Sequence, residues 1–102
     1  MFEDLVEPAK LLVGKGLSKI PINNSSAVLE KFGESKLNEI LQLKKVFFES
    51  NSYIKNGDRI DWDDIYKNVK LDFEKKYPNC CKELIDIFWW SYSFALWKDG
   101  VV

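Results

Sequence analysis

The most telling residue for chemistry is one that is missing: the chain contains no histidine. That removes the commonest general base, the commonest transition-metal ligand and every Ser-His or Cys-His dyad together. Cys80 and Cys81 sit where a helix should begin, and a helix dipole there lowers a thiol pKa and activates it. On a helical projection, however, Cys81 shares a face with Leu84 and Phe88 and Cys80 leans toward Ile87. With no basic partner in view, both read as small packing residues. Two thiols without an imidazole do not make a tetrahedral zinc site, so no metal and no cofactor are expected. Gly14-Lys15-Gly16-Leu17-Ser18 lacks the spacing of a phosphate-binding loop and reads as a helix end. No carboxylate pair is specified for acid/base work either, and the expectation is a protein that is not an enzyme.

Two groups of residues suit binding better than catalysis. Asp58, Asp61, Asp63 and Asp64 crowd a short run around Arg59, the only arginine. Their order is not that of a calcium loop, and Trp62 interrupts them. Capping and dipole complementarity account for Asp61, Asp63 and Asp64 without function. The functional alternative is an acidic docking patch for a basic partner, with Trp62 or Tyr66 beside it as anchor. The second group lies in Leu84 to Trp97, which packs six aromatics into its last ten residues. As a helix this segment has apolar residues on two sides: Leu84, Ile85, Phe88, Tyr92, Ala95 and Leu96 on one stripe, with Trp89 at its edge, and Ile87, Trp90, Phe94 and Trp97 on the other. The first stripe is core. The second is either core of a sandwiched central helix or an exposed patch at Trp90, Phe94 and Trp97.

These groups need helices to hold them, and the periodicity supplies about five. Phe2 to Val13 places Leu5, Ala9 and Leu12 on one face, tolerates Pro8 near its first turn, and stops at Gly14 and Gly16. Ile20-Pro21-Ile22 is extended; Asn24 or Ser25 then caps a short helix through Phe32 that ends at Gly33. Ser35 to about Ile54 carries Leu37, Ile40, Leu41, Leu43, Phe47, Phe48 and Ile54 on one broad face, although a short hairpin over residues 45–55 is an alternative. Asp61 is a natural N-cap for the next helix, whose stripe is Trp62, Ile65, Tyr66, Val69, Phe73 and Tyr77. Asp63 and Asp64 stand at its positive end, Lys75 and Lys76 at its negative end, and Pro78 stops it. Asn79 is positioned to cap the last helix. The expected fold is therefore all-α, a compact bundle in one domain over residues 1–102, or α+β if the hairpin forms.

Composition narrows the partners. A net charge of −1 and a single arginine argue against nucleic acid. The outline helix, glycine turn, helix over Ser25 to Lys45 fails as a DNA-binding motif, because Leu29 stands where a small residue is needed and Glu39 and Gln42 where apolar ones are. The acidic N-terminus lacks the pattern of a signal peptide, and Leu84 to Trp97 is too short to span a bilayer, so a cytoplasmic protein without a membrane partner is expected. The adjacent cysteines offer no disulfide framework. The reading is a bacterial immunity or antitoxin protein, monomer or homodimer, that neutralises a basic toxin domain, a nuclease, by blocking its active site. Asp58, Asp61, Trp62, Asp63, Asp64, Tyr66, Trp90, Phe94 and Trp97 would form the contact surface. A self-associating adaptor and a small DNA-binding regulator are the alternatives.

Overall fold

The computed structural model describes residues 2–50 and 62–98. A turn of 3-10 helix (Glu3–Leu5) leads into α1 (Val6–Val13), followed by α2 (Ser25–Phe32), α3 (Glu34–Phe48), α4 (Trp62–Lys76) and α5 (Lys82–Lys98). The architecture is the expected all-α bundle. No strand forms among the described residues, whose isolated bridge joins Lys15 and Ser18. The first arm of the alternative hairpin is overturned, since Val46, Phe47 and Phe48 lie in α3; Tyr53 and Ile54 fall outside the described residues.

Helix α1 is short but central, packing against α2, α3 and α5. Leu5, Ala9 and Leu12, spaced to share a face, are fully buried, as is Val13. Each such aliphatic burial of Leu or Val contributes about 1.5–3 kcal/mol relative to exposure. Pro8 sits in the first turn, where its missing N–H would have had no intrahelical acceptor. At the other end Gly14 adopts φ +78° and its N–H donates to the Lys10 carbonyl at 2.8 Å, a left-handed stop that glycine makes without steric cost. The chain then folds back on itself: the Ile22 N–H donates to the Val13 carbonyl at 2.9 Å, and Asn24 N–H to Leu12 carbonyl at 2.9 Å.

Asn24 occupies the N-cap of α2, but its side chain makes no capping bond; instead the Ser25 hydroxyl donates to Asn23 Oδ1 at 2.7 Å. Gly33 alone separates α2 from α3, which is not the three-to-four-residue turn of a helix-turn-helix. Leu29, Glu39 and Gln42 are all on the surface. Helix α3 buries Leu37, Ile40, Leu43 and Phe47, a narrower face than expected, because Leu41 is exposed. It also ends sooner than the periodicity predicts. Glu49 terminates it, and the Ser50 hydroxyl donates back to the Val46 carbonyl at 3.1 Å.

Helix α4 begins at Trp62 with Asp63 and Asp64 in its first turn and ends with Lys75 and Lys76 in its last, the charge order that suits the dipole. The expectation that Asn79 caps α5 is corrected. Tyr77, Pro78, Asn79 and Cys80 form a turn in which the Cys80 N–H donates to the Tyr77 carbonyl at 3.2 Å, and α5 starts only at Lys82. Proline at the second position of a β-turn is preset in φ, and this geometry wins over capping.

Candidate functional site

Phe47 stands at the centre of the core, its ring 5.3 Å from Phe73, 5.8 Å from Phe88 and 5.8 Å from Tyr92. Phe48 closes the same side with an edge contact to Tyr92 at 5.4 Å. Phe47 and Phe48 come from α3 and Phe73 from α4, and together with α1 these helices seal the first half of α5. Leu84, Ile85, Ile87 and Phe88 are at most 1% exposed. Ile87, drawn on the second stripe, therefore belongs to the core.

Beyond Tyr92 the surroundings of α5 change. Trp89 is the hinge between the two environments: it takes Trp62 at 6.1 Å and Tyr66 at 5.2 Å from α4, both nearly edge-on, and Tyr92 at 5.9 Å from its own helix. Farther along, Phe94 and Trp97 pair at 5.7 Å, and Trp97 is 63% exposed. Between these rings lies an open groove of about 410 Å³ lined by Trp62, Trp89, Trp90, Ser93, Phe94 and Trp97. The chain has four tryptophans and all four line this groove. The Ser93 hydroxyl donates to the Trp90 carbonyl at 3.2 Å, which engages the lining's one polar side chain with its own helix.

No protein-family model, no curated protein and no solved structure matches this chain. The chemistry of the groove rests on its own residues. Tryptophan combines a large apolar area with an N–H donor and an electron-rich face, so a half-open set of four can clasp an apolar or cationic side chain.

Of the expected contact residues, Trp62, Trp90, Phe94 and Trp97 are brought together here although the first is far from the others in sequence. Asp63 and Asp64, next to Trp62, are exposed at the start of α4. Asp58 and Asp61 lie outside the described residues. Tyr66 packs against Trp89 but does not line the groove; its hydroxyl donates to Asp86 Oδ1 at 2.9 Å and ties α4 to α5. Burial, and after it this hydrogen bond, pushes the Tyr66 phenol up to about 12. Sequence reasoning missed Trp89 and Ser93. The signal was present, because residues 89, 93 and 97 recur at four-residue spacing and must share the flank that holds Trp97.

Cys80 is 9% exposed, and burial pushes its thiol up to about 12, the opposite of an activated nucleophile. Its packing role is the one the apolar projection predicts. Among the described residues no group of three His, Cys, Asp or Glu side chains could hold a metal ion, and no helix is long and apolar enough to cross a membrane.

Proposed function

We propose that this chain works by stoichiometric protein binding, with the tryptophan groove as anchor site and the acidic start of α4 as its charged rim. The observation that carries this reading is the convergence of all four tryptophans on one open groove. Tryptophan is the residue most enriched where truncation costs binding energy, and a folded domain gains little stability from leaving such rings half open. Asp63 and Asp64 are exposed in the first turn of α4, which also carries Trp62, so negative charge stands at the helix end that supplies one wall of the groove. Such a rim suits a basic domain, steering its approach, while the rings hold it once docked. A nuclease toxin fits this description, with the carboxylates taking the ground that phosphates occupy, and the role is then that of an immunity or antitoxin protein.

The test begins with the partner recovered on the wild-type chain from its native host. Joint charge reversal of Asp63 and Asp64 to lysine should slow association at low salt, and Trp90→Ala should speed dissociation. Unchanged binding kinetics in both variants would sink the proposal. The groove lining, apolar apart from Ser93, also suits a twin subunit. A monomer by sedimentation at micromolar concentration ends that second reading.

A further inference from the structure

From Pro8 to Leu29 the chain carries no Asp or Glu, yet it carries Lys10, Lys15 and Lys19. In a molecule of net charge −1 this is a marked segregation. The same stretch contains the loop between α1 and α2, where apolar side chains face outward. Leu17 is 72% exposed and Ile20 53%, while Ile22 is exposed at 40%.

The loop is held, not slack. Leu17 N–H and Ser18 N–H both donate to the Gly14 carbonyl, at 3.0 and 2.8 Å, and Ile20 N–H donates to Ser18 Oγ at 3.3 Å. Its two ends are joined by the Ile22-to-Val13 and Asn24-to-Leu12 bonds. Ile22 fills the space beside Gly14, where an added Cβ would come within 2.7 Å of Ile22 Cγ1. Closed ends and internal packing of this kind are those of compact surface loops, which are frequently functional. The ordering entropy that usually opposes docking of a loop is already spent here.

Beside Leu17 a shallow pocket of about 260 Å³ gathers Lys10, Lys15 and Lys31 with Phe32, against the single carboxylate of Glu7, which pairs with Lys10 at 3.3 Å. Lys31 lies over the Phe32 ring, its ammonium 5.5 Å from the centroid. Cations thus border an apolar tip on a rigid loop.

We propose that this loop is a docking surface for an anionic lipid bilayer. Leu17 and Ile20 enter the boundary between headgroups and acyl chains, while Lys10, Lys15, Lys19 and Lys31 stay at headgroup level against lipid phosphates, as long cationic side chains do at such boundaries. The apolar tip decides for a bilayer over a free anion, since an anion in the lysine pocket gains nothing from Leu17 or Ile20. This surface departs from the sequence-based expectation of no membrane partner, which rested on the lack of a segment long enough to span. It is independent of the tryptophan groove and does not rest on the protein-binding role.

The experiment is co-sedimentation of the full chain with vesicles of phosphatidylcholine mixed with phosphatidylglycerol, beside vesicles of phosphatidylcholine alone, at low and high salt. The chain should partition onto the mixed vesicles and not the neutral ones, and high salt should release it. The double substitution K15Q/K19Q should lower the partition by about 10-fold or more, and L17S/I20S by about 10-fold, with the thermal midpoint of both variants close to wild type because Leu17, Lys19 and Ile20 are exposed and Lys15 is half-exposed. Three results would overturn the proposal: wild-type chain left in the supernatant with mixed vesicles; L17S/I20S binding as tightly as wild type, which assigns the lysines to a soluble anion; or a wild-type dimer that L17S/I20S abolishes without vesicle binding, which makes a second copy the occupant.

Discussion

The two halves of α5 are both mostly apolar, the first largely aliphatic and the second largely aromatic, and they meet opposite fates. Leu84 to Phe88, with Tyr92 after it, is closed over by α1, α3 and the Phe73 ring of α4, whereas the flank of Trp89, Trp90, Phe94 and Trp97 meets α4 rings at Trp89 and opens into the groove. The boundary falls where α3 ends. Phe48 is the last residue of α3 and its ring reaches Tyr92; from Tyr92 to the end of α5 the helix advances about 9 Å at 1.5 Å per residue. The lesson is that composition makes a helix face sticky, but the length of its neighbour decides whether that face becomes core or surface.

The largest effect that tests this contrast is expected at Phe47. Phe47→Ala removes the ring shared by Phe73, Phe88 and Tyr92, and should destabilise the fold by about 3–5 kcal/mol, read as a fall in the denaturant midpoint followed by far-UV circular dichroism. A loss below about 1 kcal/mol would mean that the sealed half is loosely packed and that the two halves do not differ in kind.

The sealed half of α5 and the core that covers it were legible in the sequence because their positions follow the helical period. Leu5, Ala9 and Leu12, then Ile65, Val69 and Phe73, then Leu84, Phe88 and Tyr92 recur at helical spacing and are buried as that spacing requires. Stops were legible where they rest on backbone chemistry, at Gly14 and Pro78. The end of α3 was not, since neither glycine nor proline marks it and the apolar period runs on past Phe48. At the stop the Ser50 hydroxyl bonds to the Val46 carbonyl four residues back, a contact that serine also makes inside helices and that therefore announces no end. This one unread boundary is also why the groove was only half legible. Trp90, Phe94 and Trp97 could be singled out, but whether a neighbour covers them depends on where α3 stops, and the pairing of Trp62 with Trp89 depends on how α4 lies along α5.

A smaller effect is expected at the seam between the halves, where Tyr66 on α4 reaches Asp86 on α5. Tyr66→Phe keeps the ring contact with Trp89 and removes only the hydrogen bond, so the cost should be about 1 kcal/mol at neutral pH. The phenol is raised to about 12 from an ordinary 10, which means that the native state holds this proton more tightly than the unfolded chain does. The stability that follows is fully present below pH 10 and is lost as pH climbs through about 12. Urea melts across that alkaline range should therefore lose part of their pH dependence in Tyr66→Phe. An identical dependence in both proteins would place the late-titrating group elsewhere and leave the seam without its polar tie.

The smallest effect on stability is expected at Trp97, and it sharpens the comparison most. With 63% of its surface exposed, Trp97→Ala should shift the folding free energy by no more than about 0.5 kcal/mol. Because the chain's tryptophans all line the groove, indole emission reports on the open half of α5 and is silent on the sealed half. Wild-type emission should then contain a fraction readily quenched by iodide, and Trp97→Ala should remove most of that fraction while the melt stays in place. If the accessible fraction survived the substitution, the exposed indole would be another of the four; if instead Trp97→Ala melted like Phe47→Ala, α5 would be one continuous core and the groove would not be a surface at all. The expected pairing, a large optical change with almost no change in stability, is the signature of a ring kept for something other than folding.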